Sequence, residues 1–161
     1  MTPAEPLEFL QEFHRETLDL FRACLANARS VTAYDANNGY QQVLGRQEVH
    51  LRWLADAIAD LAGTVPDSPD DAVPGRPSRE DVGSIIETDI RRQKEFIDRW
   101  SVRVPSVTNA RNRKMVELIL GEMKEHLRVF EQAKDGRSDL LGRHSDGKVL
   151  RGEVLPARPK N

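Results

Sequence analysis

The sequence lacks most of the features that mark secreted, membrane and nucleic-acid-binding proteins. It has a single cysteine, Cys24, so no disulfide can form within the chain. No apolar run approaches the roughly 20 residues of a membrane helix. The first residues, MTPAEPLEFLQEF, have neither the basic start nor the apolar stretch of a signal peptide. From the lone cysteine and the missing signal peptide we expect a cytoplasmic protein. The formal net charge of -2 gives no support to nucleic-acid binding, so we expect neither membrane nor nucleic-acid partners.

Strand patterns are almost absent, and proline is concentrated in one segment. Alternating β-branched residues occur only in KVLRGEVL near the C-terminus. Apolar residues elsewhere recur at helical spacing, which predicts an all-α protein. The expected helices run from about Glu5 to Ala28, from about Asn38 to Ala62 with Gly63 as C-cap, from a Ser78 N-cap to about Trp100, and from about Asn109 to Lys134 before Gly136.

The connections between these helices predict the topology. The segment TVPDSPDDAVPGRPS, residues 64–78, contains four prolines and reads as a stiff, extended linker. A short, a long and a short connection fit a ferritin-like four-helix bundle with a long crossover between helices 2 and 3. We therefore expect a bundle over residues 1–136 and an irregular basic C-terminal tail over residues 137–161.

Several polar side chains lie on the apolar faces of the predicted helices. His14, Gln47, His50, Gln93 and His126 all fall within these faces at about 100° per residue. Buried imidazoles need a hydrogen-bond partner or a metal ion. The histidines therefore indicate either a metal site shared by three helices or neutral side chains that specify the register of the bundle.

Three stretches of the chain resemble ferritin-like proteins of the bacterioferritin and rubrerythrin kind. RQEVHLRWLADAIADLAGTVPD is similar to the second helix of that superfamily, in which a glutamate precedes a histidine by three residues. SIIETDIRRQKEFIDRW is similar to the third helix, and LILGEMKEHLRVFE to the fourth. The resemblance covers about residues 5 to 135 and implies the ferritin-like fold.

The resemblance also implies a ligand set for a pair of irons, and the match to it is incomplete. A glutamine and a methionine stand where the family has its two bridging glutamates, and neither can supply negative charge between two cations. The implied centre is therefore a degenerate di-iron site. The family's terminal ligands would fall at Glu16, Glu87, His50 and His126, and its bridging glutamates at Gln47 and Met123.

Three functions remain open from the sequence. The first is a non-catalytic binding or structural module, expected to form a homo-oligomer, which binds metal weakly if at all. The second is a site for one iron or zinc ion held by His50, His126 and either Glu122 or His14, an arrangement that also resembles DinB-like bundles. The third is a di-iron oxidase that uses non-standard acidic ligands.

Overall fold

Four helices make up the described part of the chain. The computed structural model describes residues 4–66 and 81–137. Within these ranges there is no strand, which confirms the all-α prediction. The expected Ser78 cap and the basic tail from residue 138 onward lie outside the described residues. The helices are α1 (Ala4–Ala28), α2 (Tyr34–Asp60), α3 (Val82–Ser101) and α4 (Ala110–Lys134), with a short 3₁₀ turn at Val104–Ser106.

Side-chain caps fix where α3 and α4 begin. The Asp81 carboxylate accepts a 3.3 Å hydrogen bond from the backbone N–H of Ser84. The Asn109 side chain accepts a 3.0 Å bond from the N–H of Asn112, so α4 begins at the residue after the predicted start. Each cap satisfies a backbone donor that has no partner within the helix.

The C-terminal ends of α2 and α4 are closed by the same hydrogen-bond pattern. After α4, Gly136 adopts φ +76° and its N–H donates to the carbonyl of Ala133, as expected for a glycine C-cap. After α2, the left-handed position is taken by Ala62, with φ 56°, and not by Gly63. The sequence-based assignment of Gly63 as the cap was wrong by one residue, because α2 ends at Asp60.

Contacts between the helices define their relative directions. Gln11 near the start of α1 donates a 2.8 Å bond to the carbonyl of Thr64, just after α2. At the opposite end, Asn27 near the end of α1 donates to Asp89 near the start of α3. The start of α3 therefore lies beside the end of α1, and α1 runs antiparallel to both α2 and α3.

The core has two apolar halves. One half is built around Phe13, Leu54, Trp100 and Ile119, and Trp100 meets Phe13 edge-on with ring centroids 4.8 Å apart. The other half lies at the opposite end of the bundle, beside the end of α1 and the start of α3. Its buried members are Cys24, Ala28, Val31, Tyr40, Val43, Leu44, Ile85, Ile86 and Phe130.

Most of the buried polar residues of α2, α3 and α4 lie between the two apolar halves, Asn112 at the start of α4 being an exception. On α2 they follow Leu44 and precede Leu54, and on α4 the polar position follows Met123. Each of these side chains has less than a tenth of its surface exposed. We call them the central polar layer, which consists of Gln47, His50, Asp89, Gln93 and His126.

None of the helices within residues 4–66 and 81–137 combines the length and apolar character that a membrane crossing requires.

Candidate functional site

A chain of polar contacts joins α2 to α4 at one side of the central polar layer. His50 is fully buried, and its Nε2 lies 2.6 Å from Oε2 of Glu122. The same carboxylate accepts hydrogen bonds from Arg46, at 2.6 Å between Nη2 and Oε1 and at 3.0 Å between Nε and Oε2. Arg46 and His50 are four residues apart on α2, so both face Glu122 on α4.

The charges in this chain of contacts follow from burial and pairing. The hydrogen bond from Arg46 lowers the pKa of Glu122, so this carboxyl group is ionised at neutral pH. Burial lowers the pKa of His50, and the hydrogen bond to Glu122 opposes that effect only in part. The arrangement therefore holds one cation and one anion at the bundle surface, with a neutral imidazole behind them.

His126 lies next to His50 in the interior. The two imidazole rings are stacked, with centroids 5.9 Å apart and an interplanar angle of 25°. Burial, followed by repulsion from His50, lowers the pKa of His126 to about 4. Both imidazoles are therefore neutral at physiological pH, which is the form that binds metal ions.

Several buried polar atoms of the core have no hydrogen-bond partner among residues 4–66 and 81–137. Nearly all buried polar atoms in native proteins are paired, so each such atom calls for an explanation such as a bound water or ion. Five residues contribute these atoms, and four of them belong to the central polar layer. The atoms are Nδ1 of His14, His50 and His126, both amide atoms of Gln47, and Oε1 of Gln93.

The structure separates the candidate ligands into two groups. It brings His50, Glu122 and His126 together. Glu16 instead accepts a 2.7 Å bond from the indole N–H of Trp100 and pairs with Arg99. Glu87 pairs with Lys134 on the surface, at 3.2 Å. His14 is buried on α1 with an unpaired Nδ1.

The fit of a di-iron centre can be judged from the donor atoms. Gln47 and Met123 are both fully buried, so the two positions expected to bridge a metal pair carry an amide and a thioether. Neither group can offset the charge of two adjacent cations. Within residues 4–66 and 81–137, no cluster of three or more His, Cys, Asp or Glu side chains is arranged to hold a metal ion. The donors present therefore do not fit a pair of metal ions.

Arg46 is the member of the site that sequence reasoning missed. A signal for it was present, because Arg46 and His50 share the i, i+4 spacing of Glu122 and His126. Arg46 also lies over the ring of Trp53, with 5.9 Å between the guanidinium carbon and the ring centroid. Pairing of the two helices at this level could not be read from the sequence.

Known proteins give no independent guide to this site. Comparison with protein-family models, with curated proteins and with solved structures finds no match.

Proposed function

We propose that this protein is a non-catalytic binding module that takes up one divalent transition-metal ion, with zinc and iron as candidates, at the central polar layer. The observation that carries the proposal is the pair of stacked, neutral imidazoles of His50 and His126, each with a buried Nδ1 that has no partner. Imidazole nitrogen is a common ligand for both zinc and iron.

The donor set favours one ion over two. His50 and His126 would supply two nitrogen ligands, one fewer than the three protein ligands of a typical open zinc site, so water would fill the remaining positions and we expect weak binding. Gln47, three residues before His50, supplies a buried amide with two unpaired atoms that would hydrogen-bond to that water. The two positions expected to bridge a pair of cations carry the amide of Gln47 and the thioether of Met123, which argues against a second cation.

The ferritin-like connectivity belongs to the same proposal. The start of α1 lies beside the end of α2, and the end of α1 lies beside the start of α3, through the Gln11–Thr64 and Asn27–Asp89 contacts. A linker from the end of α2 to the start of α3 would then follow the length of the bundle. Because α1 has 25 residues, that length is about 38 Å at 1.5 Å per residue. The roughly 20 residues between the helices can reach about 60 Å when extended.

Metal content and binding stoichiometry test the proposal directly. Elemental analysis of untagged protein should be followed by calorimetric titration with Zn(II), and anaerobically with Fe(II). We expect one equivalent per chain, lost in His50→Ala with His126→Ala and retained in Glu16→Ala with Glu87→Ala. The second pair is the matched control because it removes carboxylates that the ferritin-like resemblance would require.

Two results would contradict the proposal in different ways. Binding of two equivalents of iron with oxygen consumption would identify a di-iron oxidase with non-standard ligands. Absence of binding by either metal would leave the histidines with a structural role only.

A further inference from the structure

A largely apolar groove lies between the end of α2 and the start of α4. It has a volume of about 270 Å³, and Trp53, Met115 and Leu118 form its apolar lining. Leu118 is one of the few large apolar side chains of the described residues that are exposed, with 51% of its surface accessible. Removal of such surface from water favours association with another protein. The groove is therefore a candidate binding surface.

Charged side chains of opposite sign lie on the two sides of this groove. Asp56 and Asp60 lie on the α2 side, and Arg111 lies on the α4 side, followed one turn later by the exposed Lys114. Asp60 and Arg111 are 3.7 Å apart, and their side chains are 65% and 87% exposed. Because these charges are largely in water, they can also attract a partner that carries the opposite arrangement.

We propose that the groove is one half of a two-fold symmetric interface and that its occupant is a second copy of this chain. A two-fold axis parallel to the helices would place α2 of each copy against α4 of the other at the same level. Asp60 of one copy would then face Arg111 of the other, and Asp56 would face Lys114. A perpendicular axis through the groove would instead place α2 against α2, with like charges opposed. The interface goes beyond the proposed metal site and does not depend on it.

Two exposed glycines on the same side of the bundle support close packing of a second copy. Gly45 lies within α2, two turns before Trp53, and Gly121 lies within α4, one turn after Leu118. A Cβ at either position would meet no neighbouring side chain or helix of the described residues within 4 Å. Glycine is less favourable than alanine inside a helix, so contacts within the described chain do not account for it. Close approach of another backbone does account for it.

The levels of the two glycines match the proposed axis. Arg46 and Glu122, which directly follow Gly45 and Gly121, are bonded to each other at 2.6 Å, so the two glycines lie at nearly the same level of the bundle. Rotation about an axis parallel to the helices keeps every residue at its level. Gly45 of one copy therefore faces Gly121 of the other, while the opposite charges meet two to four turns away.

Sedimentation velocity of the full chain in the presence of a chelator tests the interface separately from the metal site. We expect a species of twice the 18.2 kDa chain mass at micromolar concentration. Leu118→Gln should raise the dimer dissociation constant roughly 10-fold or more. Val102→Gln, which changes an even more exposed apolar residue outside the groove, should leave it unchanged. Gly121→Gln should also weaken the dimer without lowering thermal stability, because the added side chain has open space in the single chain.

Charge reversal tests the pairing across the axis. Asp60→Lys should weaken the dimer, because it would place like charges opposite each other. Asp60→Lys combined with Arg111→Glu in the same chain should restore association, because each symmetric contact then regains opposite charges. Continued weak association of the combined variant would contradict the proposed pairing of these two residues.

Cross-linking tests the direction of the axis. The native cysteine, Cys24, is buried, so a cysteine introduced at the surface reports its own contacts. When Gly45→Cys and Gly121→Cys proteins are mixed, left to exchange subunits and mildly oxidised, we expect a disulfide between the two variants. Neither variant should cross-link with itself.

Three results would overturn the inference. A wild type that stays monomeric at submillimolar concentration would refute the dimer and leave the groove to another occupant, such as a peptide of a different protein. A dimer unaffected by both Leu118→Gln and Gly121→Gln would be built on another surface. Self-cross-linking of either cysteine variant would refute the axis parallel to the helices. None of these results bears on metal binding, which is measured separately by titration.

Discussion

The Tyr40 hydroxyl donates a 2.5 Å hydrogen bond to Oδ2 of Asp89, a carboxylate that is almost completely buried on α3. Asn27 on α1 donates to the other oxygen at 2.9 Å. One side chain of α3 is therefore bonded to α1 and α2 at the edge of the central polar layer. Burial raises the pKa of Asp89, and these two hydrogen bonds offset part of that effect.

Replacement of Tyr40 by phenylalanine tests this three-helix contact. The change removes a bond to a buried carboxylate without altering the ring, so we expect the free energy of unfolding to fall by about 1–3 kcal/mol. Chemical denaturation at neutral pH would measure the loss. Asp89→Asn should also destabilise the protein, whereas Asp98→Asn on the exposed face of α3 should change stability by less than about 0.5 kcal/mol. Equal effects of the two aspartate changes would contradict the role assigned to Asp89.

Buried neutral histidines make the metal-free protein sensitive to acid. The pKa of His126 is about 4 in the folded chain, against an ordinary value of 6.5. Between these values the unfolded chain binds a proton that the folded chain does not, so stability is present above pH 6.5 and is lost as the pH falls toward 4. His14 and His50, whose pKa values burial also lowers, act in the same direction.

Denaturation at pH 7 and pH 5 in the presence of a chelator would measure this effect. We expect His126 to account for about 2 kcal/mol of the difference in unfolding free energy. His126→Leu should therefore show a smaller loss between the two pH values than the wild type. An identical loss in the two proteins would show that His126 is protonated to the same extent in the folded and unfolded chains.

The end of α2 offers a stabilising substitution. Ala62 adopts a left-handed conformation that costs an L-residue with a side chain roughly 1–2 kcal/mol relative to glycine. We expect Ala62→Gly to raise the free energy of unfolding by about 1 kcal/mol, measured by denaturation. Ala59→Gly, at an exposed position in the last turn of the same helix, should lower it by a similar amount. Destabilisation by Ala62→Gly would indicate that α2 does not end in the observed conformation.

Gln47 provides a test of what the central polar layer contains. Its amide is fully buried, and neither polar atom has a partner in the structure. In metal-free protein, Gln47→Met keeps the shape and removes both unpaired groups, so we expect stabilisation by about 1–3 kcal/mol. The exposed Gln42→Met change should be nearly neutral. Destabilisation by Gln47→Met would show instead that the amide is hydrogen-bonded, for example to ordered water.

Much of the helical framework was predictable from local signals. Apolar periodicity predicted four helices, and the residues Asn109 and Gly136 marked both ends of α4 correctly. Local signals were less accurate where competing caps were available. At the end of α2 the sequence offers Gly63, but the chain turns one residue earlier, because the backbone bonds after Asp60 place Ala62 in the left-handed position.

The inward-facing polar residues were also predictable, but their partners were not. Helical spacing placed His14, Gln47, His50, Gln93 and His126 in the interior, and all five are buried. Spacing within one helix cannot show which residues of another helix lie at the same level. For that reason, the Arg46–Glu122 fork and the Tyr40–Asp89 bond were not foreseen.

The sequence by itself determined the all-α class, the number of helices in the described residues and most of the buried polar residues, because these depend on residue type and on a repeat of 3.6 residues. The expected start of α2 at about Asn38 was wrong, since the helix begins at Tyr34. Tertiary structure alone decided which side chains on different helices are hydrogen-bonded to each other. Glu122 bonds to Arg46 and His50, and Glu16 to Trp100 and Arg99, because these contacts depend on the register between helices that are distant in the chain.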